Sequence, residues 1–245
     1  MLVPRSLTAL ARLRTRVQRA RPPREALVAR YAPGASFADV GCMWQVHGRV
    51  CFAAEDAGAT RVTGLDVMAP TERFEAERAR RHSGVHFVQG DLHGDRVIEA
   101  HDVVWCSGVI YHAAHPVLTL ERLAAITTRT LLLATETVPE VPGLRRATIF
   151  APTRAHHPNA PRRFDAARGY GAWWWGITPS ALRAMTQAAG FSIREEYRTP
   201  LHTTLVAAPG CSAAGATTRG SARTTAATAR RRPAAARRRP RRTRR

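Results

Sequence analysis

FADVGCMWQVHG, residues 37–48, decides the fold. An apolar run from Phe37 to Val40 stops at Gly41. Three later segments repeat the pattern: RVTGLDV (61–67), VHFVQGDLHGD (85–95) and HDVVWCSGVIYH (101–112). Each opens as an apolar or β-branched run and ends in Gly, Asp or Ser. In an open parallel α/β sheet, ligands bind outside the carboxyl ends of the strands. Gly41, Asp66, Asp91 and Ser107 are therefore expected to converge on one cleft. Asp39, Asp66 and Asp91 follow one another at 27 and 25 residues, the length of one strand–helix repeat with its loops. They belong at the ends of neighbouring strands.

Outward from this stretch, strand and helix patterns alternate, which predicts a parallel sheet. The strands fall at 36–40, 61–66, 85–89, 102–106 and 130–137, and the helices at 47–57, 71–81 and 116–126. Residues 138–170 lack periodicity and are rich in Pro, Arg and His, so they read as a long irregular insertion of the functional or disordered kind. Thr178-Pro179 starts a further helix and Gly190 stops it. Two strand-like runs, 191–198 and 202–207, are joined by three residues and predict an antiparallel hairpin.

Charge is distributed unevenly along the 245 residues, whose formal net charge is +20. Residues 1–30 hold eight Arg against one Glu, and 211–245 hold twelve Arg and no acid; 31–210 hold eighteen Arg against seventeen acids. This divides the chain into a basic N-terminal helical extension (1–30), a nearly neutral domain (31–210) and a disordered Arg/Ala-rich tail (211–245). Leu7, Leu10, Leu13 and Val17 give the extension one basic amphipathic helix, ended by Arg21-Pro22-Pro23; residues 24–31 form a second, short one. The basic ends suggest an electrostatic partner such as nucleic acid. The absence of Lys and the excess of Ala and Arg suggest instead coding bias and a solvated tail. The four cysteines show no metal-ligand spacing and read as reduced thiols of a cytoplasmic protein. His156-His157 has no partnering ligands, so no metal is expected. No apolar run reaches 18 residues, and no membrane span or secretory leader is expected.

The strand-end residues have a joint chemical reading. Gly41 lets backbone approach a ligand closely, and the helix after it offers free N–H groups to an anion. Asp66 can accept from the vicinal hydroxyls of a ribose. Asp91 can accept from the exocyclic amine of a purine, and Val67 or Leu92 can wall the base. Together they read as an adenosyl site. Removing the Asp66 carboxylate should weaken the ligand about tenfold and leave the melting temperature of the free protein unchanged.

These segments resemble the class I S-adenosylmethionine-dependent methyltransferases over residues 33–208. The resemblance implies a Rossmann-like α/β sheet of seven strands, mostly parallel with the last antiparallel, preceded here by the basic N-terminal helix. It implies S-adenosyl-L-methionine as cofactor, with Asp39, Gly41, Met43 and Gln45 in the loop at its methionine end. Asp66 and Val67 fall at the ribose, Gly90, Asp91 and Leu92 at the adenine, and Cys106-Ser107 along the cofactor. The family loop reads G-x-G-x-G; here Met43 and Gln45 occupy the later glycine positions. Segments 107–123 and 173–191 resemble a subgroup that includes tRNA wobble-uridine methyl- and carboxymethyltransferase-like proteins. Tyr111-His112 falls where the family places groups near the transferred methyl, and His112 is a candidate general base; alternatively it orients the cofactor or caps the helix at Pro116. Trp173-Trp174-Trp175 lines an acceptor pocket or lid, or else packs under the 138–170 insertion. The expected activity is methyl transfer to a small molecule or nucleotide. The alternatives are a tRNA-modifying enzyme using its basic ends, and a degenerate, non-catalytic binding module.

Overall fold

A computed structural model describes residues 24–94, 98–140, 142–143, 145–150 and 175–210. The expected helix at 6–20, His156-His157, Trp173, Trp174 and the tail lie outside these residues.

Helix α1 (Arg24–Tyr31) precedes β1 (Ser36–Val40), α2 (Arg49–Asp56), β2 (Arg61–Asp66), α3 (Glu72–Arg81), β3 (His86–Gln89) and β4 (His101–Ser107). A single 3-10 turn (Ile110–His112) leads into α4 (Pro116–Ile126) and β5 (Thr127–Glu136). Then come β6 (Thr148–Phe150), β7 (Trp175–Ile177), α5 (Pro179–Ala188), β8 (Phe191–Thr199) and β9 (His202–Pro209). Seven strands form one sheet in the order β3-β2-β1-β4-β5-β9-β8. The first five are parallel; β9 inserts antiparallel between β5 and β8. The strand order reverses between β1 and β4, which opens a crevice at their carboxyl ends.

The apolar runs are explained by burial on both faces of the sheet. Alternate residues serve opposite sides. Phe37, Val103, Trp105 and Leu132 pack with Leu27 and Val28 of α1, Val50 and Phe52 of α2 and Phe74 of α3. Ala38, Val40, Val104, Cys106, Leu131 and Leu133 pack with Leu120 and Leu123 of α4 and Leu182 of α5.

Local chemistry sets the helix ends. The Thr71 hydroxyl accepts from Phe74 N at the start of α3, whose first turn holds Glu72 and Glu75 and whose last holds Arg78, Arg80 and Arg81. Carboxylates at the N-terminus and guanidinium groups at the C-terminus both oppose the helix dipole. Thr178 caps α5, and Pro116 and Pro179 occupy first helical positions, where a missing N–H costs nothing.

The structure departs from the sequence reading in three places. Helix α2 begins at Arg49 rather than 47, because Gln45, His47 and Gly48 all take positive φ and form a turn. Strand β5 begins at Thr127, directly after α4, with His101 of β4 as its partner. Part of the insertion is regular: β6 pairs with β7, Phe150 opposite Trp175 and Thr148 opposite Ile177. Three-residue strands whose partner lies 25 residues away leave no periodic signal. The terminal hairpin forms as expected, its strands extended so that only Pro200 and Leu201 remain in the turn.

Candidate functional site

A cleft of about 470 Å³ opens at the carboxyl ends of β1, β2, β3 and β4, a size typical of small-molecule sites. Gly41, Asp66, Asp91 and Ser107, the four strand-end residues, all line it. So do Asp39, Gln45, Val67, Gly90, Leu92, Tyr111 and His112. Met43 and Cys106 do not. Both are fully buried in the core. Cys106 packs toward α4, because alternation along β4 turns Trp105, not its neighbour, to the side shared with Asp39. Met43 contributes its backbone instead: its N–H donates to Asp66 Oδ2 at 2.7 Å.

The first loop is built for close approach. Gly41 has φ 82°, and its N–H donates to Leu65 O at 2.8 Å. A Cβ there would lie 2.5 Å from Val109 Cγ2 and 3.3 Å from Ser107 O. Gln45 lines the cleft with φ 56°, the left-handed region that glycine adopts most readily. Helix α2 follows with Gly48 at its N-cap, no side-chain cap and no acid in its first turn. Its positive dipole end therefore remains available to an anion.

Asp39 is 2% exposed. Burial pushes its carboxyl up to about 7, against the Cys51 thiol, which donates to Oδ2 at 3.6 Å, and the Arg24 charge. Asp39, Cys42 and Cys51 bring their polar atoms within 4.8 Å of one another. Burial raises the Cys42 thiol; contact with Cys42, then burial, raises that of Cys51. Both therefore stay protonated, as donors around the carboxyl. Cys42, Cys51 and Cys106 are free thiols.

Arg24 was not legible as a site residue. It lines the cleft from the start of α1, with its guanidinium 5.9 Å above the Trp105 ring. Trp44, Val109 and Thr119 complete walls that sequence reasoning also missed. His93 is another addition. Its Nε2 lies 2.9 Å from Thr119 Oγ1, which itself donates to His115 O at 3.1 Å. The hydroxyl has one proton, so the imidazole donates from Nε2. Asp91 shapes this corner by accepting His93 N–H at 2.9 Å.

Asp66 is 7% exposed, and both its oxygens hold backbone: Oδ2 accepts from Met43 and Oδ1 from Met68 N at 2.9 Å. Burial outweighs these donors and leaves its pKa above the ordinary carboxylate value. The carboxylate therefore ties the first loop to β2. This corrects the expectation that its removal leaves the free protein unaffected. Asp66→Ala should lower stability by roughly 1–3 kcal/mol, the cost of stranding a buried N–H, besides weakening ligand about tenfold. Thermal melts of the ligand-free variant check this, and a melt equal to the parent's would refute the structural role.

No protein-family model and no curated protein matches the chain. Solved structures do. The N-terminal domain of EvdMO1, crystallised in the presence of S-adenosylhomocysteine and D-fucose, is 18% identical, covers 86% of this chain and 97% of its own, and has a TM-score of 0.58. The 1,6-didemethyltoxoflavin-N1-methyltransferase of Burkholderia thailandensis, with bound 1,6-didemethyltoxoflavin and S-adenosylhomocysteine, is 17% identical over 84% of each chain at 0.57. The [4+2]-cyclase SpnF is 16% identical, covering 76% of this chain and 79% of its own, at 0.54. The chain has the class I, Rossmann-like methyltransferase fold, with its final strand antiparallel. The wobble-uridine subgroup is not among these likenesses. No helix among the described residues is long and apolar enough to cross a membrane.

Proposed function

We propose that the cleft binds S-adenosyl-L-methionine and that the chain transfers its methyl group to a small-molecule acceptor. The observation that carries this is the order of groups along one cleft. Ser107 ends β4 and Tyr111-His112 follow it, Gly41 follows β1, Asp66 ends β2, and Asp91 and Leu92 follow β3, in the order of these strands across the sheet; Arg24 and Val50 of α2 line the same cleft. The residues fit the cofactor. Arg24 and the α2 N-terminus suit its carboxylate. The Asp66 carboxylate retains lone pairs for the ribose hydroxyls. Val67 and Leu92 wall the base, with Asp91 at its amine. Gly41 lets the first loop lie against Val109 and Ser107, where a Cβ would have no room. When bound, the cofactor supplies an electrophilic methyl on a sulfonium. The chain's share is alignment of the nucleophile with that methyl, and His112 takes a proton where the acceptor has one to lose.

Likeness to methyltransferases acting on small molecules supports this reading of the acceptor. Calorimetric titration with S-adenosylhomocysteine tests the cofactor, with saturable one-site binding expected. Absence of binding at millimolar ligand sinks the proposal. A second reading, binding without methyl transfer, is favoured by Met43 and Gln45 in place of loop glycines and by the likeness to a cyclase of the same fold. It predicts saturable binding with no methylated product across an acceptor panel. The tRNA reading rests on the two basic ends, and a steep salt dependence of RNA binding would be its signature.

A further inference from the structure

The turn that presents Tyr111 and His112 is short, and its backbone hydrogen bonds are local. His112 N donates to Val109 O at 2.9 Å and Ala113 N to Ile110 O at 3.2 Å. A single 3-10 turn has poor hydrogen-bond geometry and little intrinsic persistence. A further bond comes from 62 residues away: Trp175 Nε1 donates to Ala113 O at 2.8 Å. Ala113 lines the cleft. Trp175 is not among the lining residues; it stands behind the turn, on β7.

The support under Trp175 is firm. Val138 N donates to Ile177 O at 3.0 Å, Thr178 N to Ala147 O at 3.1 Å, and Ala147 N to Thr178 Oγ1 at 3.0 Å. The Phe150 ring packs on the indole, centroids 4.5 Å apart at 40°. Ile177 is fully buried, which anchors the end of β7 in the core. The indole N–H is thus a fixed donor reaching from a braced ribbon to the turn, whose Ile110 is fully buried.

We propose that Trp175 is a positioning residue: its indole N–H holds the Ala113 carbonyl and so fixes the Tyr111-His112 turn against the cleft, without touching ligand. This gives the β6–β7 ribbon a role in the chemistry at one remove, and it rests on the reading of Tyr111-His112 as the reactive end of the cleft. A hydrogen bond of ordinary net strength shifts a local opening equilibrium by up to about tenfold.

The test is hydrogen exchange by NMR on the full chain, comparing the parent with Trp175→Phe, which keeps a ring and loses the donor. In the parent, the Trp175 indole proton should exchange slowly. In the variant, the His112 and Ala113 amides should exchange about tenfold faster while β4 and β5 exchange as before. The His112 ring resonance, assigned by its loss in His112→Ala, should shift as well. Affinity for S-adenosylhomocysteine should stay within about threefold of the parent's, since Trp175 lies outside the cleft. Rapid exchange of the parent's indole proton overturns the proposal, as does a variant whose His112 and Ala113 amides or His112 ring signal match the parent's. If the variant does not fold, the parent's indole measurement decides alone. If neither protein binds S-adenosylhomocysteine, the cofactor reading fails while the exchange data still decide the role of Trp175.

Discussion

Gly41→Ala should cost at least a hundredfold in affinity for S-adenosylhomocysteine and lower the melting temperature by about 10 °C. Two independent penalties combine. At φ 82° an L-residue is strained, worth about 1–2 kcal/mol. The new methyl would also lie 2.5 Å from Val109 Cγ2 and 3.3 Å from a backbone oxygen. Relieving an overpacked contact of this kind costs about 1–3 kcal/mol. For a domain of this size each kcal/mol lowers the melting temperature by roughly 2–4 °C. The effect on binding follows from where the relief goes. Val109 lines the cleft, so the side chain that must yield is pushed into ligand space or drags the loop after Ser107 with it. Val109→Ala separates the penalties. The double variant should regain part of the affinity and of the melting temperature, because the clash is gone while the φ strain stays. A Gly41→Ala protein that binds and melts like the parent would show that the first loop does not approach the ligand as described.

Parallel strands buried on both faces must be apolar throughout, so β1, β2 and β4 stand out as runs, and the polar residue that ends each run marks the cleft. Gly41, Asp66 and Ser107 are readable for that reason; Asp91 follows the partly exposed edge strand β3 and is readable from its spacing to Asp66. Cys106 was misplaced for want of register. Asp39 pairs with Trp105, which puts the tryptophan on Asp39's side of the sheet and the cysteine on the other. Alternation carried from β1 to β4 points to Trp105. Met43 was assigned by its place in a glycine pattern, but the loop uses its N–H and buries its side chain. Arg24 carried no signal, since Leu27 and Val28 announce only that α1 packs. Its approach to Asp39 and Trp105 depends on how that helix lies across the sheet, a tertiary fact. The β6–β7 ribbon was invisible for a related reason: its pairing is non-local and its strands are too short for periodicity.

His112→Ala should reduce turnover about 10²–10⁴-fold with little change in affinity for S-adenosylhomocysteine. That factor is what a positioned general base contributes. His112 lies at the end of the 3-10 turn, half-buried at the cleft, its ring centroid 4.1 Å from that of Tyr111. It follows β4, whereas Asp66 ends β2 and Asp91 follows β3, so its loss removes no group assigned to the nucleoside. The two readouts therefore separate the roles. A base is silent in binding and large in rate; a residue that shapes the pocket moves both. The pH profile adds a third criterion. The parent's turnover should rise with pH as the base loses its proton, and the variant's should lack that step. His112→Gln, which preserves hydrogen bonding and cannot take the proton, should behave like the alanine variant. An acceptor found by screening is required first, ideally one whose nucleophile carries a proton. If His112→Gln turns over at the parent's rate, the imidazole is not the base, and alignment alone accounts for the transfer.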